Sequence, residues 1–182
     1  MVENKTYNNV INTLLRLGEY HKQINTISVG DIWTVDMEKN TKFPLLHITP
    51  TNVSAAESEL IYNFQIFIMD IVSEKDDWTE NNANANFPKL VKKLSNEQDV
   101  YNECLQICTD LISMLRHSDR QSLSGVDDIN SAVYFTNGDF SIEPFQERFD
   151  NLCAGWVFNV NVVVQNDFQS CTIPVTNEGA GY

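Results

Sequence analysis

The chain has 182 residues, 42% hydrophobic and 20% charged, which is the make-up of a domain that buries a real core and excludes wholesale disorder. Asp and Glu number 25 against 12 Lys and Arg, a net charge of −13. A surface that negative repels phosphate backbones and anionic lipid, so tight DNA wrapping and a membrane-surface role are disfavoured.

Taken in chain order, Tyr7, Val10, Ile11, Leu14, Leu15 and Leu17 recur at helical spacing and predict a first helix over about residues 4–23. Asn4 and Thr6 are candidate caps, and Gly18 weakens the helix near its end. Strand signals take over at Ile27. In "DIWTVDM", Trp33, Val35 and Met37 alternate with Thr34 and Asp36, the period of a half-buried strand. "EKNTK" reads as a polar turn. "FPLLHIT" resumes extended structure, with Pro44 at its start and Pro50 expected to end it.

Residues Glu59 to Val72 give the strongest strand signal. Leu60, Tyr62, Phe64, Ile66 and Ile68 share one face. The other face, Ile61, Asn63, Gln65, Phe67, Met69 and Ile71, is polar in the middle and apolar at the far end. That pattern predicts a sheet covered on one side and meeting another subunit on part of the other. A long polar, Asn-rich loop is expected over about residues 73–95, with Trp78 and Phe87 as aromatic anchors, either to their own domain or to a neighbouring molecule.

A second helix is predicted from about Asn96 to His117. Ser95 and Gln98 match a capping box. Val100, Cys104, Ile107, Cys108, Leu111, Ile112 and Leu115 form one broad apolar stripe, and Arg116 and His117 suit the negative C-terminal end. Asn137-Gly138 is then a strong tight-hairpin signal, because a type I′ turn needs positive φ at both central residues. It would set Phe135 opposite Phe140 and Val133 opposite Ile142. In the last strand Trp156, Phe158, Val160, Val162 and Val164 share a face, with Asn159 and Asn161 on the other. Residues 175–182 are expected to be loose. The whole, residues 1–182, reads as a single α+β domain: a mostly antiparallel β-sheet flanked by two main helices.

Catalytic chemistry is not apparent. Cys104, Cys108, Cys153 and Cys171 lack zinc spacing, and buried reduced thiols account for them better. His21, His47 and His117 are scattered, with His47 expected at a surface or interface. Asp76-Asp77 and Asp127-Asp128 are acidic pairs without the spacing of a calcium loop. No phosphate-binding glycine loop and no nucleophile motif occurs, so no cofactor and no metal are expected. The opening "MVENKTYNNV" has no basic region followed by a long apolar run, and no stretch reaches the ~20 apolar residues of a membrane span, so a cytoplasmic, soluble product is expected.

Three features carry a family resemblance: the order helix, strands, helix, strands; the run "FSIEPFQERFDNLCAGWVFNVNVVV" at 140–164; and the "CTIP" at 171–174. In these the chain resembles the tail-terminator and tail-completion (head–tail neck) proteins of tailed bacteriophages. The resemblance covers most of the chain in element order and about residues 140–174 in wording. It implies a non-enzymatic virion protein assembled in the host cytoplasm into a homo-oligomeric ring. It further implies contacts with other phage tail or neck proteins, passage of genome DNA through the lumen, no membrane and no cofactor. The interface residues expected on this reading are Trp78, Phe87, Glu143, Phe145, Glu147 and Arg148, with a place in the buried core an equal alternative for Phe145. Two other readings stand beside it: a small cytoplasmic protein-binding or regulatory domain, and a metal-assisted hydrolase using Asp127 or Asp128.

Overall fold

A computed structural model describes residues 7–34, 41–73, 77–81, 89–93, 96–121, 134–136, 138–149 and 151–165. Two helices, α1 (Tyr7–Tyr20) and α2 (Glu97–Gln121), accompany a six-stranded sheet. Its strands are β1 (Thr26–Val29), β2 (Leu45–Ala55), β3 (Glu59–Ile71), β6 (Tyr134–Thr136), β7 (Ile142–Arg148) and β8 (Leu152–Gln165). A separate two-stranded sheet holds β4 (Asp77–Asn81) and β5 (Lys89–Lys93). The fold is α+β with a mostly antiparallel sheet, and three strands precede and three follow the β4–β5 hairpin and α2, as the element order predicts. Among the described strands only β1 runs parallel to its neighbour, β2.

Strand alternation decides the layers. Leu46 and Ile48 of β2, Tyr62, Phe64, Ile66 and Ile68 of β3, and Phe158, Val160, Val162 and Val164 of β8 form one buried face. Val10 and Leu14 of α1, and Val100, Cys104, Ile107, Cys108, Leu111, Ile112 and Leu115 of α2, pack onto it. The two apolar stripes therefore bury against one side of the sheet, which is what an amphipathic helix requires. The indole Nε1 of Trp156 donates to the main-chain oxygen of Tyr101 at 2.7 Å, fixing α2 over β8. Gly18 is buried where α1 crosses Ile27 and Leu46.

Several sequence expectations are corrected. Trp33 lies in a 3₁₀ turn (Ile32–Thr34) rather than a strand and is 71% exposed; Val35 and Met37 lie outside the described residues. Pro50 does not end β2, which runs on to Ala55 through a register shift between Pro50 and Asn52. A bulge absorbs the missing proline N–H, so the strand survives it. The segment expected as a structureless loop contains the β4–β5 hairpin. Asn96, not Ser95, directly precedes α2, and Ser95 lies outside the described residues. The Asn96 side chain accepts from the Ser73 N–H at 2.7 Å, tying the start of α2 to the end of β3.

The Asn137-Gly138 hairpin does not form either. β6 and β7 both pair with β8, Thr136 opposite Val162 and Ile142 opposite Phe158. The chain is therefore two residues longer between Thr136 and Ile142 than β8 is between Phe158 and Val162, and Gly138 in that interval has φ 95°. The 14-residue β8 offers enough edge to take both segments in line, which outweighs the local turn preference. Val133 and residues 175–182 lie outside the described residues.

Candidate assembly surface

The second face of the sheet is built from the alternate residues of the same strands, and it changes character along its length. At one end Leu45, Phe67, Met69 and Cys153 are buried, with Ile32, Phe43, Ile71, Phe145, Phe149 and Val157 packed around them. The apolar far end of β3 expected to meet another subunit is thus covered by the chain's own side chains. Phe145 of β7 meets Phe67 edge-on at 5.1 Å.

His47 comes next along β2. It is 2% exposed rather than at a surface. Its Nε2 faces the carbonyl oxygen of Gly30 at 3.2 Å, so Nε2 carries the proton, and Nδ1 then accepts from the Ser28 hydroxyl at 2.7 Å. Burial pushes the His47 pKa down, against the Gly30 carbonyl and the Asp31 charge, which push it up. The neutral ring is a clamp between β1 and β2. Sequence reading missed it because no local pattern announces a histidine whose partners lie 19 and 17 residues away.

The next two rows beyond His47 are polar and carry no charge. Thr49, Gln65 and Asn159 stand side by side in one row across β2, β3 and β8, and Asn52, Asn63 and Asn161 in the next. Asn52, Asn159 and Asn161 are exposed; Thr49, Asn63 and Gln65 are half-buried. The Thr49 Oγ1 is buried with no hydrogen-bond partner among the described residues. Two uncharged rows, mostly of amides, on a chain of net charge −13 form a distinct surface.

Four of the expected interface residues lie together on β7, which pairs with β8 on one side. Glu143, Phe145 and Glu147 fall on the second face by register, and Arg148 on the helix face. Glu147 Oε1 accepts from the Arg148 main-chain N–H at 3.2 Å. α2 braces this strand: Gln146 Nε2 donates to Glu97 Oε1 at 3.3 Å, and the Tyr101 hydroxyl to the Phe145 carbonyl at 3.4 Å. Trp78 is in β4, in register with Lys92, while Phe87 lies outside the described residues. The structure therefore does not bring Trp78 into the β7 group by strand pairing.

The remaining reactive side chains are closed off. Burial pushes the thiols of Cys104, Cys108 and Cys153 up to about 12, so none is a thiolate near neutrality. His21 Nε2 meets Asp110 Oδ2 at 3.3 Å, a link between the end of α1 and α2. Among the described residues no group of three or more His, Cys, Asp or Glu is arranged to hold a metal ion; Asp76, Asp127 and Asp128 lie outside them. Among the described residues no helix is long and apolar enough to cross a membrane. No protein-family model matches this chain, and no curated protein matches it.

Proposed function

We propose that the chain is a non-enzymatic structural protein that closes into a homo-oligomeric ring, serving as a tail-terminator or head–tail neck component of a tailed-phage virion. The observation that carries the assembly part is the pair of uncharged rows in the middle of the second face. Copies of a protein with net charge −13 repel one another, and the Thr49–Gln65–Asn159 and Asn52–Asn63–Asn161 rows let two copies approach without bringing like charges together. Amide side chains donate and accept at once, so such rows satisfy a neighbour's polar groups directly or through water. The phage assignment draws on the 140–174 wording and the element order. An acidic ring lumen would pass DNA without gripping it.

Size-exclusion chromatography with light scattering tests the assembly. The chain is expected to run as a discrete multiple of 20.8 kDa, and Asn52→Asp with Asn159→Asp, both exposed and not opposite one another, to shift it to smaller species while the melting temperature stays nearly constant. A strict monomer at high concentration contradicts the proposal. Flanking reading frames for portal, sheath or tube proteins test the virion assignment, and a purely metabolic neighbourhood contradicts it.

A further inference from the structure

The alternation of ladder bonds decides which residues of β2 turn their main-chain groups outward. The Ala56 N–H donates to the Glu59 carbonyl at 2.8 Å, so the next pair, Ala55 and Leu60, is a non-hydrogen-bonded one. Counting back in register, Ser54 and Asn52 bond to β3, whereas Val53 and Ala55 point their N–H and C=O groups away from it. On that side β1 reaches only Ile48, whose carbonyl accepts from the Gly30 N–H at 3.0 Å as the last rung. No described strand lies beyond it. Every residue from Thr51 to Glu59 is exposed, Val53 by 52%. The segment is nonetheless part of a continuous sheet, because β3 pairs with β8 all the way from Glu59 to Ile71.

Pro50 lacks an N–H, and the register shift between Pro50 and Asn52 follows it, so an added strand finds only the short stretch around Val53 and Ala55. Residues 48–56, "ITPTNVSAA", carry no charge in a chain of net charge −13. An acidic chain therefore meets its own copy here without setting like charges together. Glu57 decides the direction. A parallel pair would bring the Glu57 side chains of two copies side by side. An antiparallel pair centred on Ser54 sets each Glu57 opposite Thr51 of the other copy, with the two carboxylates roughly 20 Å apart, beyond the Debye length of about 8 Å.

We propose that β2 of one copy pairs antiparallel with β2 of a second copy about a two-fold axis at Ser54. Val53 then exchanges both main-chain hydrogen bonds with Ala55 of the second copy, and Ala55 with its Val53. The Val53 side chain, open to solvent in one chain, lies beside that Ala55, and Ser54 faces Ser54. The contact is isologous, so by itself it makes a dimer, and where the chain also closes into a ring it joins two rings.

Cysteines introduced into a full-length Cys171→Ser chain test it, since Cys104, Cys108 and Cys153 are buried. Non-hydrogen-bonded neighbours in an antiparallel pair have Cα atoms about 4.5 Å apart, within disulfide reach. Ser54→Cys forms an interchain disulfide under mild oxidation. Asn52→Cys, also exposed and on the same face but roughly 14 Å from its counterpart, does not. Disulfides at both positions or at neither overturn the proposal. In sedimentation velocity, Ser54→Glu sets like charges directly opposite, and Val53→Pro removes an outward N–H that the fold itself does not use. Each weakens the contact about tenfold or more and halves the mass of the assembled species, while circular dichroism stays that of the unmodified chain. Unchanged mass in both variants overturns this contact and leaves the ring reading standing if species larger than a dimer persist. A Ser54→Cys disulfide in a chain that never exceeds a dimer supports this contact and overturns the ring.

Discussion

The two faces of this sheet come from the same strands and differ only in which alternate residues they use, yet they are finished in opposite ways. The helix face is apolar throughout β8, Phe158, Val160, Val162 and Val164 being essentially dry under α2. The second face is apolar for only part of its length, where Phe67, Met69 and Cys153 are covered without a helix, and then turns to exposed amides. What the chain itself covers is apolar. In the two rows beyond His47 what it leaves open is polar but uncharged, as suits a surface that stays soluble alone and is covered on assembly.

Substitutions at adjacent residues of β8 break this contrast most sharply. Phe158→Ala is expected to cost about 3–5 kcal/mol in urea denaturation, because it opens a cavity beneath α2. Asn159→Ala, one residue on, is expected to stay within about 0.5 kcal/mol. Similar losses at both positions would mean that the second face is a packed core as well. Gly155→Ala comes next, at about 2–3 kcal/mol. A Cβ there would run into the main-chain carbonyl of Ile68 and the Met69 Cα, and backbone cannot step aside as a side-chain tip can. Gly155 therefore marks a close approach of β8 to β3, and a neutral result would show that the approach can relax.

How much of this was legible follows from the range of each signal. Residues 59–72 and 155–164 declare their strands and faces by alternation alone, and residues 100–115 declare a helix by one stripe. The amides Asn63, Gln65, Asn159 and Asn161 are equally visible strand by strand. That they join Thr49 and Asn52 in two rows depends on register between segments about a hundred residues apart, which no local pattern encodes. Asn137-Gly138 misled for the converse reason: its turn preference is real but local, and the long edge of β8 outbids it. Pro50 misled because a bulge lets a strand pass it. Of the expected interface residues, the spacing of Glu143, Phe145 and Glu147 was readable, whereas the brace from Glu97 and Tyr101 that holds their strand was not.

The His47 clamp yields a smaller, pH-dependent effect. Burial lowers its pKa in the folded state below 6.5, so the unfolded chain binds the proton more readily. Its contribution is present in full above about pH 6.5 and is lost as the pH falls toward the lowered folded value. Asp70 works the other way: burial raises its carboxyl pKa above 3.8, so its ionisation in the native state disfavours folding as pH rises through that raised value. The urea midpoint of a His47→Gln variant is expected to fall less between pH 7 and pH 5 than that of the unmodified chain. Equal falls would remove His47 as the cause. The smallest effect expected is in thiol labelling. In a Cys171→Ser chain Cys104 and Cys108, on the helix side, and Cys153, on the other, should resist labelling alike at pH 8, all three being buried with raised pKa values. Rapid labelling of Cys153 alone would show that the apolar end of the second face opens.

The central claim is that copies of this acidic molecule meet through the surface the helices leave open. Class averages from electron microscopy of the purified chain test it most directly. Annular particles, whose repeat is one chain, are the predicted result, and a field of isolated globules at every concentration would contradict it.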